Sequence, residues 1–153
     1  MRYTLRPARE EDYDWLYSLH ELTMRAAVAA TWGWEDADQR RRFAAHWDPA
    51  SRHIIIVADT RAGVVRLAEE TTQRTLELIE IHPAFQGRGL GTAVIVDLVR
   101  AAHEDNRPVL LSVLRANPRA LQLYQRLGFS VTGEQPERLL MTCAIDRLVD
   151  PRT

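Results

Sequence analysis

The spacing of apolar and polar residues divides the chain into short extended stretches and amphipathic helices. Residues 3–6 alternate weakly and predict an opening strand that stops at Pro7. Trp15, Leu16, Leu19, Leu22, Ala26 and Ala29 then recur at helical spacings, which predicts one helix over 11–30. A second helix over 36–46 is ended by Asp48-Pro49. The pattern next turns extended, with a buried strand at 53–58 and its partner at 63–69. Further on, a strand at 74–81 closes at Pro83, and a helix rich in Val, Ile, Leu and Ala covers 89–104. A strand at 109–114, a helix at 118–127 and two closing strands at 129–132 and 139–145 complete the chain.

One stretch breaks the simple alternation. In Arg74–Ile81, Leu76 and Leu78 share one phase of a two-residue repeat, whereas Ile79 and Ile81 share the other. An extra residue near Leu78 and Ile79 would put all four on one face, as in a β-bulge, and would turn Glu77 and Glu80 away from it. A strand buried on both faces gives the same sequence.

Strands and helices are mixed rather than strictly alternating, so the expected architecture is a central mixed sheet of about six to seven strands flanked by about four helices. A length of 153 residues and 46% apolar composition suit one domain, expected over 1–147 with a short tail at 148–153. Twenty basic and twenty-one acidic residues give a net charge of -1. No global positive field is then available to hold nucleic acid or an anionic membrane, and an anionic ligand must be bound locally. Cys143 is the one cysteine, so neither an intrachain disulfide nor a cysteine-based metal cluster can form. The first residues lack the apolar core of a signal peptide, and no later run approaches about 20 apolar residues. A cytoplasmic protein is the expectation.

The segment Ile81-His-Pro-Ala-Phe-Gln-Gly-Arg-Gly-Leu-Gly91 stands where a strand gives way to a helix. Its three glycines permit a tight path that brings successive N–H groups close to a ligand. The following helix start adds free N–H donors and the positive end of the helix dipole, a setting that favours phosphate. The dipole contributes only about 0.3–1 kcal/mol at an exposed site, so direct hydrogen bonds must supply most of the affinity. Neither the G-x-G-x-x-G spacing of a dinucleotide fold nor the Gly-Lys-Ser/Thr of a P-loop is present.

Gln86-x-x-Gly89-x-Gly91, preceded by a strand and Pro83, instead resembles the coenzyme A pyrophosphate motif of the GNAT (GCN5-related) N-acetyltransferase superfamily. Val113-Leu-Arg-Ala-Asn117 and Leu121-Gln-Leu-Tyr124-Gln-Arg-Leu-Gly-Phe129 resemble that family's next strand, helix and closing turn. The resemblance is close over residues 74–145 and implies a mostly antiparallel sheet. It implies acetyl-CoA as co-substrate, with the main chain of Ile79, Glu80 and Ile81 on the pantetheine arm. Gln86, Gly87, Arg88, Gly89, Leu90, Gly91 and Thr92 would hold the pyrophosphate. Asn117 would contact the cofactor near its thioester, and Tyr124 would approach the sulfur. In purely structural terms Asn117 caps the following helix, with Pro118 at its first position, and Tyr124 packs in the core.

Acetyl transfer to an amine needs a neutral amine, a stabilised oxyanion and a leaving thiolate. A lysine-like amine of pKa about 10.4 is neutral in only about one molecule in two thousand at pH 7, so a base or a lowered pKa must help. Glu80 and Glu77 are the nearest candidates, Glu80 as base and Glu77 toward the acceptor. Either could equally be a solvated or paired strand carboxylate. The resemblance leads one to expect a glutamate on the strand before Asn117, but Ser112 stands there. An N–H near Ile81 could hold the oxyanion, and Tyr124 could donate to the sulfur. Reference values of about 10 and 8.5 make complete proton transfer from tyrosine to thiolate uphill by about 2 kcal/mol, which favours a hydrogen-bonding role. No metal is implied, and His20, His46, His53, His82 and His103 show no paired ligand spacing.

For the acceptor, the resemblance points to the first two helices and their loop. Trp32-Gly-Trp34-Glu-Asp-Ala-Asp places two tryptophans beside acidic residues, a composition suited to an amine and equally to locking a helix junction. Arg40-Arg41-Arg42 reads as a solvated face. The implied reaction is attack by a primary amine of a small molecule within a ternary complex. A homodimer is compatible with it. A protein or peptide N-acetyltransferase and a non-catalytic acyl-CoA-binding module are the competing readings.

Overall fold

A computed structural model describes residues 2–153. Seven strands form one sheet in the order β1-β2-β3-β4-β5-β7-β6. They are β1 (Thr4–Pro7), β2 (His53–Val57), β3 (Thr60–Glu69), β4 (Arg74–Ile81), β5 (Val109–Leu114), β6 (Ser130–Glu134) and β7 (Arg138–Cys143). Four helices accompany them: α1 (Tyr13–Trp32), α2 (Asp36–Ala45), α3 (Leu90–Glu104) and α4 (Pro118–Arg126). The β1–β2, β2–β3, β5–β7 and β6–β7 pairs are antiparallel, and β4 pairs with β5 in parallel. This is the mixed architecture that the periodicities predict, with the mostly antiparallel pairing that the resemblance implies.

Contacts group into two compact units, residues 1–66 with Leu78–Leu90 and Leu67–Glu77 with Gly91–Thr153. In the first, α1 lays Leu16 and Leu19 against Ala8, Ile54 and Val64, with Trp15, Phe43, Trp47, Ile56 and Leu78 closing the cluster. The three-residue step between Leu16 and Leu19 keeps both on one helix face. No residue of α2 is fully buried. The helix is held instead by Phe43, whose ring meets those of Tyr13 and Tyr17 edge-on at 5.2 and 5.3 Å. In the same unit Asp12 is buried and accepts hydrogen bonds from Arg6 at 2.8 and 2.9 Å, Arg61 at 3.2 Å and the Arg9 N–H at 2.8 Å.

In the second unit, six residue pairs join β5 to β7. Residues 93–102 of α3 bury Ala93, Val94, Ile95, Val96, Val99 and Ala102, so this helix is enclosed on several sides. The stretch expected as a tail is tied down. The Val149 N–H donates to the Leu127 carbonyl at 2.9 Å, and the Asp150 carboxylate accepts from Arg100 and Arg152. Gly128, at φ +102°, allows this approach, because a side chain there would run into the Arg147 carbonyl.

The far half of β4 departs from the bulge expectation. Leu78 packs with Ile54 and Val64, whereas Ile81 lies with Ile55 beside Gly63. Ile54 and Ile55 are neighbours on one strand and face opposite ways, so Leu78 and Ile81 occupy opposite faces of the sheet. Glu80 returns to the α1 side with Leu78 and is 5% exposed. Plain alternation in a strand covered on both faces therefore replaces the single apolar face, and Glu80 points inward rather than away from the core.

Candidate functional site

The Gly-rich segment closes on itself before α3 begins. The His82 N–H donates to the Ala62 carbonyl at 2.8 Å, which continues the strand by one residue. A turn of 3-10 helix follows at Pro83–Phe85, with the His82 side chain accepting from the Ala84 N–H. The Gln86 amide reaches back and donates to the Ile81 carbonyl at 2.9 Å. Gln86 thereby shapes the loop.

Gly87 and Gly89 take φ values of +74° and +81°, and a Cβ at either would meet nothing within 4 Å. The backbone path thus requires glycine, while the space beside it is open. Gly87, Arg88 and Gly89 are exposed, and α3 starts at Leu90 and runs for 15 residues. Its first N–H groups have no acceptor inside the helix. A loop of this kind in front of a long helix fits a pyrophosphate.

The described part of β4 that registers with β5 is short, with Arg74 opposite Val109 and Thr75 opposite Leu110. Ile79, Glu80 and Ile81 lie beyond those two pairs. In the second unit Asn117 caps α4, its side-chain oxygen accepting from the Ala120 N–H at 3.3 Å, with Pro118 next in line. Tyr124 packs edge-on to Phe129 at 5.8 Å, and burial pushes its phenol up to about 12. The hydroxyl is therefore protonated at any working pH and can act only as a neutral hydrogen-bonding group.

The first unit contains an arrangement that sequence reasoning missed. His20, on the third turn of α1, sets Nδ1 3.4 Å from Glu80 Oε2 and Nε2 3.1 Å from Gln39 Oε1. The Glu80 side chain is 4% exposed and that of His20 22%. The Trp34, Phe43 and Tyr17 rings stand 5.6, 6.0 and 6.2 Å from the imidazole. Burial alone would lower the histidine's pKa, but the hydrogen bond and charge of Glu80, with Gln39 and Glu21 adding, raise it on balance. The available sequence signal was modest: His20 follows the inward-facing Leu16 by four residues, and a polar side chain on that stripe needs a buried partner.

The two tryptophans of the α1–α2 connection have different surroundings. Trp34 is half-buried, donates through Nε1–H to Asp36 at 2.7 Å and is approached by the Arg25 guanidinium at 5.5 Å. Trp32 is 56% exposed at the end of α1. Glu77 is exposed, and so does not share the setting of Glu80. Tyr17 is 4% exposed with the Arg40 guanidinium 4.5 Å above its ring. Its hydroxyl has no hydrogen-bond partner among the described residues. A buried polar atom left so costs about 1–3 kcal/mol unless water or a ligand satisfies it.

Residues 16–129 match the sequence profile described as the Acetyltransferase (GNAT) family. The spermidine N(1)-acetyltransferase of Escherichia coli K12 is 31% identical over 144 residues, covering 85% of this chain and 74% of that protein. The mycothiol acetyltransferase of Mycobacteroides abscessus is 36% identical over 109 residues, 65% of this chain but only 36% of the longer relative. Among solved structures, the PaiA N-acetyltransferase of Thermoplasma acidophilum, in complex with coenzyme A, superposes with a TM-score of 0.77. It covers 94% of this chain and 99% of its own at 13% identity, a likeness of fold alone. With the profile spanning the helix that carries His20, the glycine loop and the α4 turn, the chain belongs to the GNAT family of acetyltransferases.

Proposed function

We propose that this acyltransferase moves an acetyl group from acetyl-CoA to a primary amine of a small molecule, by direct attack within a ternary complex. The observation that carries the reading is the buried Glu80 carboxylate, held by His20, whose imidazole in turn stands 5.6 Å from the Trp34 ring. A carboxylate so placed suits removal of a proton from an ammonium group, and the indole suits contact with a cation.

The residue roles follow from that reading. The loop from Gly87 to Thr92 holds the pyrophosphate, supported by the positive φ of Gly87 and Gly89 and by the start of α3. Gln86 braces the loop. The main chain of Ile79, Glu80 and Ile81 receives the pantetheine arm, and Asn117 adds a contact nearer the thioester while it caps α4. Glu80 takes the amine proton, and Tyr124 donates a hydrogen bond to the departing sulfur. Trp34 borders the acceptor, with Trp32 and Glu77 at the more exposed margin.

Direct attack is supported by the state of the single cysteine. Cys143 is fully buried, and burial pushes its thiol up to about 11, which leaves almost no thiolate for an acyl-cysteine intermediate. The spermidine relative adds a small-molecule amine acceptor by analogy. The test is steady-state release of coenzyme A thiol across polyamines, amino acids, aminoglycosides and peptides. Turnover of free amines with intersecting initial-velocity lines is expected. Turnover confined to peptides, or binding of acetyl-CoA without turnover on any amine, refutes the reading.

A further inference from the structure

We propose that His20 is a positioning residue of the transfer reaction: it takes on the proton that Glu80 removes from the acceptor amine and, once charged, holds the Glu80 carboxylate. The inference rests on the reading of Glu80 given above and extends it to a residue on another element, 60 positions away in the chain.

The geometry sets the direction of the relay. Gln39 presents its oxygen to Nε2 at 3.1 Å, so that nitrogen carries a proton and donates it. In the neutral ring Nδ1 is then the basic nitrogen, and it faces Glu80 Oε2 at 3.4 Å. A lone pair opposite a carboxylate leaves room for one proton between them, and such a contact tightens when the proton arrives. The carboxylate side chain is 4% exposed and the imidazole 22%, so the pair opens to water at the histidine end.

The charged and titratable neighbours support this placement. From α1, Glu21 adds to the negative potential and is shared with Arg25 at 3.8 Å, while Tyr17 stays neutral because burial raises its phenol. Arg25 also approaches Asp36 at 3.9 Å, and Arg40 lies over the Tyr17 ring. From β4 comes Glu80 itself, and α2 supplies the uncharged Gln39.

The chemistry also needs a second group. An ordinary glutamate, near 4.3, lies about six units below an amine near 10.4, a millionfold disadvantage for proton transfer. A pair whose proton resides on an imidazole above 6.5 narrows the gap to under about four units, a gain of more than a hundredfold. In the step, the amine nitrogen bonds to the thioester carbon and the C–S bond breaks with its electron pair on sulfur. The nitrogen's proton passes to Glu80 and on to His20 Nδ1, then to water. The thiolate takes its own proton from solvent.

Two measurements test the relay. Nitrogen-detected NMR of the intact protein should show His20 protonated at Nε2 when neutral and titrating above 6.5, and Glu80→Gln should bring it below 6.5, because burial then prevails. Kinetically, His20→Gln keeps a hydrogen-bonding amide but cannot titrate. With spermidine, or the panel amine turned over fastest, it should lower kcat at pH 7 at least tenfold while the acetyl-CoA KM stays within twofold. The acid limb of kcat should also leave the region above pH 6.5. Glu80→Gln should be similarly slow, and the double variant no slower than the worse single one. A slow Glu80→Gln beside a His20→Gln of normal rate and pH profile overturns the relay and leaves Glu80 as base. Normal rates for both variants overturn the base reading as well. If His20→Gln does not fold, a His20 titration unmoved by Glu80→Gln overturns the relay on its own.

Discussion

Gly63 offers a sharp test of how rigidly the backbone under Glu80 is held. It lies inside β3, and a Cβ built there would sit 2.4 Å from the Glu80 carbonyl oxygen, 3.1 Å from Ile81 Cδ1 and 3.3 Å from Ile55 Cδ1. The nearest obstacle is main chain, which cannot rotate aside as a side-chain tip can. Relief to an ordinary contact of about 3.4 Å needs a displacement of roughly 1.0 Å. Overpacking of this kind costs about 1–3 kcal/mol, and the lost glycine freedom in the unfolded chain returns about 0.4–1 kcal/mol. Because the obstacle is main chain, the upper end of that cost applies, and the net expectation for Gly63→Ala is about 2 kcal/mol of destabilisation, or a fall in Tm of about 4–8 °C for a chain of this size. The same displacement would disturb the 3.4 Å His20–Glu80 contact, and kcat should fall as well if Glu80 is the base. Calorimetry and urea unfolding measure the first effect, and Gly133→Ala is the control. There the obstacle is Leu140 Cδ1 at 2.9 Å, a movable methyl, and a loss under about 1 kcal/mol is expected. Gly63→Ala with wild-type Tm and kcat, or both glycine variants equally destabilised, would refute the reasoning.

Gly89→Ala forces a side chain to φ +81° and should weaken coenzyme A binding at least tenfold in calorimetry, with the overall fold retained by circular dichroism. Tyr124→Phe should leave coenzyme A affinity within twofold yet slow single-turnover acetyl transfer by roughly 10- to 150-fold, the loss of one hydrogen bond to developing charge. Tyr17→Phe removes a buried hydroxyl without a partner, so Tm should stay level or rise, while any contact of that hydroxyl with the acceptor would show as a raised acceptor KM. Asp12 is held down to about 2 by the Arg6 hydrogen bond against the opposing effect of burial, with the Arg9 N–H and Arg61 assisting. Its depressed value means that its stabilisation, about 2 kcal/mol, is complete above pH 4 and fades as pH falls from about 4 to 2; Asp12→Asn should lose that amount at pH 7 and flatten the acid slope in urea titrations.

Periodicity located most elements through a buried stripe or face, and the opening of α3 was visible in Gly87, Gly89 and Gly91. The β4 pattern was ambiguous for a physical reason. Apolar residues in both phases describe a bulged strand and a strand covered on both sides equally well, and only the partners of Leu78 and Ile81 decide between them. Glu80 shows the same limit. A glutamate between two isoleucines reads as exposed unless its partner is known, and that partner is His20 on a helix far back in the chain. The hydrogen bonds of Gln86, Val149 and Asp150 were hidden likewise, since they go to main-chain carbonyls and to charged side chains that carry no mark in the sequence.

The positions of Tyr124 and His20 on the proton scale constrain the reaction further. Full transfer from a phenol near 12 to a thiolate near 8.5 is uphill by roughly 5 kcal/mol, more than twice the cost at reference values. If Tyr124 approaches the sulfur as proposed, it therefore favours stabilising the thiolate by a hydrogen bond over neutralising it. The proton that finally reaches sulfur must come from water or from the proton lost by the amine. If His20 holds that second proton, its raised pKa keeps it protonated longer near neutral pH and slows its return to water. Raising the pH should then speed the reset of the Glu80–His20 pair and leave the phenol unaffected until far higher pH. The rate should rise through the histidine's pKa and stay level through pH 9 to 10, where a tyrosine of ordinary pKa would already have begun to ionise.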